Sequence, residues 1–143
     1  MDRSRFERYL EKMQVLDDTL EHLNSWNNDI STISLSEINT RDKFAIFHAY
    51  QIIVETITDI TAMIVKDIGK MPKDDYMNLE ILLKSSLFPP DTLTKLKQAN
   101  GLRNRIVHEY NGLIEKIAFE AISEHIELFE EFKRAVSEWL EKK

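Results

Sequence analysis

The sequence predicts an all-α fold: an antiparallel up-and-down bundle of about four to five helices, forming one domain over residues 1–143. Apolar residues recur at three- and four-residue spacings along most of the chain, the period of a helix with one buried face. Only 3 Gly and 3 Pro occur, which leaves little material for turns or strands. The breakers that do occur are clustered, and they cut the pattern into five helical segments.

The first segment runs from about Arg3 to Ser25, with Phe6, Tyr9, Leu10, Met13, Leu16, Leu20 and Leu23 on one stripe. The polar run from Asn24 to Asp29 is expected to end it, because Asn and Asp hydrogen-bond their own backbone and tolerate turns. A long second helix is expected to follow Thr40 as N-cap and to stop near Gly69, with Asp42 in its first turn. Phe44, Phe47, Tyr50, Ile53, Val54, Ile57, Ile60, Ile64 and Val65 give it the broad apolar surface of a central helix. Pro72 and Asp74 precede a short helix, Asp74 to Ser85. Phe88-Pro89-Pro90-Asp91 is the strongest breaker, and a fourth helix follows from Asp91 to Glu109, before Gly112. The last spans about Ile117 to Glu141, where Ile122, Ile126, Phe129, Phe132, Val136 and Trp139 mark an amphipathic face.

Composition narrows the function classes. Hydrophobic residues at 43% and charged residues at 31% describe a globular chain. Without cysteine there is no disulfide framework and no thiolate chemistry. No apolar run approaches the roughly 20 residues that span a bilayer, and the acidic, Arg-containing N-terminus has no apolar signal core, so a cytoplasmic protein without membrane contact is expected. A net charge of −6 argues against broad, sequence-independent nucleic-acid binding, which depends on many Lys and Arg contacts to phosphate. From Lys84 to Lys116, however, Lys84, Lys95, Lys97, Arg103, Arg105 and Lys116 face only Asp91, Glu109 and Glu115. This window either steers a phosphate into a small cleft or is an ordinary solvated face.

Within that window, Arg103-Asn104-Arg105-Ile106-Val107-His108-Glu109-Tyr110 sets polar and titratable groups inside an apolar helical pattern. Histidine exchanges protons near neutral pH and arginine can grip a phosphate through two donors, a combination suited to phosphodiester chemistry without a metal. At about 100° per residue, Asn104 and His108 share one helix face, whereas Arg103 lies under Val107 and Tyr110. Arg103 and His108 are thus about 140° apart on an ideal helix. Bringing them together takes the length of the arginine, a local distortion or a second subunit. The competing interpretation leaves both arginines solvated and satisfies His108 with a backbone carbonyl.

The order R-N-x3-H-x-Y resembles the signature of HEPN-domain proteins of the HepT type. The stretch from Arg41 to Ile60 also looks like that family's long core helix, with Gln51, Glu55 and Asp59 in a similar register. Gly101-Leu102, Gly112-Leu113 and the final amphipathic helix fit as well, so the resemblance runs from Phe6 to Trp139. It implies a homodimer whose two motifs meet as a metal-independent endoribonuclease site, with RNA and not DNA as substrate. Arg103 and His108 would be catalytic and Asn104 supporting, with Arg105 and Lys97 as further RNA contacts. It also implies a toxin neutralised by a minimal nucleotidyltransferase antitoxin, which would transfer AMP to Tyr110. The alternative is a non-catalytic helical module that binds a nucleotide or such a transferase.

Other sites find less support. The residues three before each histidine are Thr19, Ala45, Arg105 and Ile122, so the Glu-x-x-His pairs of di-iron bundles do not occur. His22, His48 and His125 lack zinc spacing and are expected to be structural or solvated. With no phosphate-binding glycine loop either, no cofactor and no metal is expected.

Overall fold

A computed structural model describes residues Met1–Lys143. Its five α-helices are α1 (Arg3–Ile30), α2 (Thr40–Asp67), α3 (Asp75–Ser85), α4 (Pro90–His108) and α5 (Glu115–Glu141), with 3-10 turns at Leu35–Glu37 and Tyr110–Gly112. α1 packs on α2, α2 on α4, α4 on α5 and α5 back on α1, closing a ring of four, while short α3 bridges α2 and α4 from outside. Cross-helix pairs fix the directions. Arg5–Asp67 and Lys12–Asp59 set α1 antiparallel to α2. Tyr9–Trp139, Lys133–Asp17 and Asn27–Ser123 set α1 antiparallel to α5. The expected all-α up-and-down bundle is therefore the observed architecture.

α2 carries the centre of the core, with Ile46, Tyr50, Ile53, Ile60 and Ile64 fully buried between its neighbours. Its N-cap is Asn39 rather than Thr40, the Asn39 side chain accepting the Asp42 N–H at 2.8 Å. Asn is the stronger cap, and Thr40 is already the first helical residue. Gly69, at φ +86°, ends the helix in a Schellman motif: its own N–H donates to the Lys66 carbonyl and that of Lys70 to the Val65 carbonyl.

Three further sequence expectations are corrected. α1 continues through the polar run to Ile30, because Ile30 is buried, Trp26 stacks on His22 and the Asn27 amide reaches Ser123 of α5. Tertiary contacts there outweigh a turn preference of a few tenths of a kcal/mol per residue. Leu10 and Phe44, placed on the buried stripes of α1 and α2, are 48% and 53% exposed. α4 and α5 also start one and two residues early, α4 with Pro90 in its first turn, where the missing N–H costs nothing.

Candidate active site

The motif lies in the last two turns of α4 and the turn that follows. His108 is the final helical residue and is exposed. Glu109 then leaves helical geometry at φ −134°, ψ 36°. Tyr110 consequently does not sit on the Arg103 face of α4 as helical spacing implied. It opens a separate 3-10 turn and lies edge-on against Phe44 and Phe47 of α2, with ring centroids 5.9 Å away in both cases. This contact explains why Phe44 can be exposed without being idle.

Arg103 is neither solvated nor free. Its side chain is only 15% exposed, and Nη2 donates to Asn100 Oδ1 at 3.0 Å and to Asp75 Oδ2 at 3.2 Å. Nη1 lies 3.7 Å from Glu55 Oε1. The arginine thus gathers α2, α3 and its own helix around one guanidinium. Its Nε is buried and has no acceptor, a situation that costs about 1–3 kcal/mol for an ordinary buried donor. Asn100 itself is buried on α4 one turn before Arg103.

The α3 end of this arrangement is held firmly. Asp74 caps α3 by accepting the Met77 N–H at 2.8 Å. The buried Asn78 amide hooks the preceding loop, accepting from the Lys73 N–H at 2.6 Å and donating to the Lys73 carbonyl at 3.1 Å. Asp75, the first residue of α3, is presented to Arg103 by that framework.

The remaining predicted residues are dispersed. Asn104 is half-buried and makes no side-chain hydrogen bond, so its amide is available on the His108 face. Arg105 is exposed and makes no ion pair, not even with Glu109, and the two line a cleft of about 200 Å³ with Gly112 and Leu113. Lys97 is paired with Glu80 of α3. Half of the basic window's six cations are therefore neutralised in three dimensions: Lys95 pairs with Asp91, Lys97 with Glu80, and Arg103 with Glu55 and Asp75. Three of the acids responsible lie outside the window in sequence, and Lys84, Arg105 and Lys116 remain unpaired.

Tyr110 is half-buried and its hydroxyl makes no hydrogen bond within the chain. Burial pushes its pKa above the ordinary value of 10.0, and Glu115 adds to that while Lys43 opposes it. Lys43 and Glu115 are themselves an ion pair at 2.8 Å. Of the other histidines, His22 and His48 are exposed, and His125 is buried with Nδ1 2.7 Å from the Tyr50 hydroxyl.

Sequence reasoning missed Asn100, Asp75 and Glu55 as partners of Arg103. Asn100 was within reach of helical spacing, at i−3. Asp75 gave no signal, being 28 residues away with no pattern joining the two.

Comparisons with known proteins agree with this fold. The sequence model of the ribonuclease HepT-like family matches residues 8–136. An Archaeoglobus fulgidus protein provisionally named as an RNase is 34% identical, over 96% of this chain and 97% of its own. The tRNA nuclease HepT of Aphanizomenon flos-aquae is 25% identical over 90% of this chain and 87% of its own. Among solved structures, the tri-AMPylated HEPN toxin of Shewanella oneidensis, in complex with its MNT antitoxin, superposes with a TM-score of 0.81 over 96% of this chain and 98% of that one, at 20% identity. The match to the family model runs from within α1 to within α5 and spans the Arg103–Tyr110 motif: this chain belongs to the ribonuclease HepT-like family.

Proposed function

We propose that the protein is a metal-independent endoribonuclease and the toxin of a HEPN/minimal nucleotidyltransferase pair, its active site completed by a second copy of the chain. The observation that carries this reading is the family match across the motif, joined to the motif's position at the exposed end of α4. His108 acts as base or acid: the RNA 2′-hydroxyl loses a proton and attacks the adjacent phosphorus, the bond to the 5′-oxygen breaks, and that oxygen takes up a proton. Arg103 holds the non-bridging oxygens as their charge grows. Asn104, on the His108 face, orients the imidazole or the substrate. DNA lacks the 2′-hydroxyl and is not cut.

Two histidines are needed if one is base and the other acid, and α4 offers one, which supports a dimeric site. Neutralisation by AMP transfer to Tyr110 has support in its free hydroxyl and in the AMPylated state of the Shewanella toxin. The added phosphate would stand beside the Lys43–Glu115 pair.

The test is RNA cleavage in EDTA by unmodified protein. The wild type is expected to cut, and Arg103→Ala and His108→Ala to be at least about 100-fold slower. Absence of cleavage by the wild type, or full activity in the His108 variant, refutes the catalytic assignment. The pairing of Arg103 with two carboxylates favours one alternative, a module that binds nucleotide or transferase without cutting. It predicts tight complex formation with neither RNA cleavage nor a Tyr110 mass increment of AMP.

A further inference from the structure

We propose that Asp75 sets the affinity of Arg103 for phosphate: its carboxylate occupies the guanidinium donor that substrate must take, and phosphate binds by exchange with it. The inference rests on the ribonuclease reading only in making RNA the source of that phosphate.

Both hydrogens of Arg103 Nη2 are committed, one to Asn100 and one to Asp75. A phosphate that engages arginine through two donors uses Nη2 together with either Nη1 or Nε. With Asp75 in place neither pair is open, and Glu55 stands 3.7 Å from Nη1. Two carboxylates against one guanidinium also leave the cluster net negative, so an incoming phosphate meets repulsion as well as competition.

The three partners of Arg103 differ in kind. Asn100 is neutral and 1% exposed, and it can keep its bond while the other end of the guanidinium changes partner. The Asp75 side chain is 39% exposed, so it can be rehydrated when released. Its backbone is fixed by the Asp74 cap and the Asn78 hook, which makes Arg103 the moving half of the pair. The buried, acceptor-less Nε shows that the resting arrangement leaves the guanidinium incompletely satisfied. A rotation away from Asp75 would bring Nε and Nη2 to one phosphate and complete it. A pure structural brace would be expected to satisfy Nε.

The experiment is an NMR titration of the purified full chain with inorganic phosphate, following the Arg103 Nε–H signal in wild type, Asp75→Asn and, as a control in a distant exposed ion pair, Asp91→Asn. Asp75→Asn is expected to bind phosphate at Arg103 at least fivefold more tightly than wild type, with Asp91→Asn unchanged. If RNA is cut, KM should fall by a similar factor while kcat stays within twofold. Equal or weaker phosphate binding in Asp75→Asn overturns the proposal, as does a drop in kcat, which would make Asp75 a brace. Should the variant melt early, the wild type alone decides: the Asp75 carboxyl carbon signal must shift as phosphate saturates Arg103, and a signal that stays still overturns exchange. If no RNA is cut by either protein, the ribonuclease reading fails while the phosphate titration still decides the role of Asp75.

Discussion

His125 shows how a single buried side chain can tie stability to pH. It is 7% exposed, stacks near Tyr50 and lies 2.7 Å from that hydroxyl through Nδ1. Burial lowers its pKa below 6.5, Lys95 adds to the lowering and Glu124 partly opposes it. When Tyr50 is the donor, Nδ1 must be unprotonated; protonating it turns the hydroxyl toward the Ala99 carbonyl at 3.4 Å, a poorer acceptor geometry. The folded state therefore binds this proton less readily than the unfolded chain does. The stability due to neutral His125 is complete above about pH 6.5 and declines as pH falls below it, levelling off beneath the folded-state pKa. His125→Gln should lower the melting temperature at pH 7.5 by an amount corresponding to about 1 kcal/mol, and by less at pH 5. A pH-independent difference between the two proteins would show that this titration is not coupled to folding. Arg103 teaches a related lesson. Its residue type and position announced a phosphate ligand, yet its three partners come from three helices, and only one of them was readable at helical spacing.

At the level of elements, the boundaries separate what local chemistry decides from what packing decides. The breakers at Gly69 and Pro89-Pro90 act where the sequence places them, because a left-handed backbone and a missing N–H are properties of single residues. The Asn-rich run after Leu23 does not, since its turn preference is weak and the buried Ile30 lies beyond it. The difference can be measured. Asn24 is exposed and mid-helical, so Asn24→Ala should be neutral or stabilising by about 0.5 kcal/mol. Asn39 caps α2, so Asn39→Ala should destabilise by about 1 kcal/mol. Thermal melts of the two variants should move in opposite directions or differ by several degrees. A loss of stability in Asn24→Ala would place the end of α1 before that residue. The same distinction accounts for Tyr110: helical spacing carried it along α4, but the helix ends at His108 and the ring finds Phe44 and Phe47 instead.

For the whole molecule, charge and assembly belong together. The chain carries −6 overall, and three of the six cations around the motif are paired, so one protomer offers RNA only a few free positive groups there. Association through the exposed end of α4 would set two motifs side by side, with Val107, 39% exposed and next to His108, as an apolar contact. Light scattering at micromolar concentration should give about twice 16.9 kDa. Val107→Glu should shift the protein to monomer and reduce cleavage by at least about tenfold while the circular dichroism spectrum is retained, because one buried unpaired charge costs several kcal/mol at such an interface. An active monomer would dismiss the shared site. What the sequence determined by itself was the all-α class, the five segments, the identity of the motif and the absence of helices long and apolar enough to cross a membrane. Those follow from periodicity and from the local chemistry of breakers and caps, which act over a few residues. Only the tertiary structure decided that Glu55 and Asp75 neutralise Arg103, that Glu80 takes Lys97, and that Tyr110 lies on α2. These pairings join residues tens of positions apart, and their energies depend on distance and burial, quantities that exist only once the helices have packed.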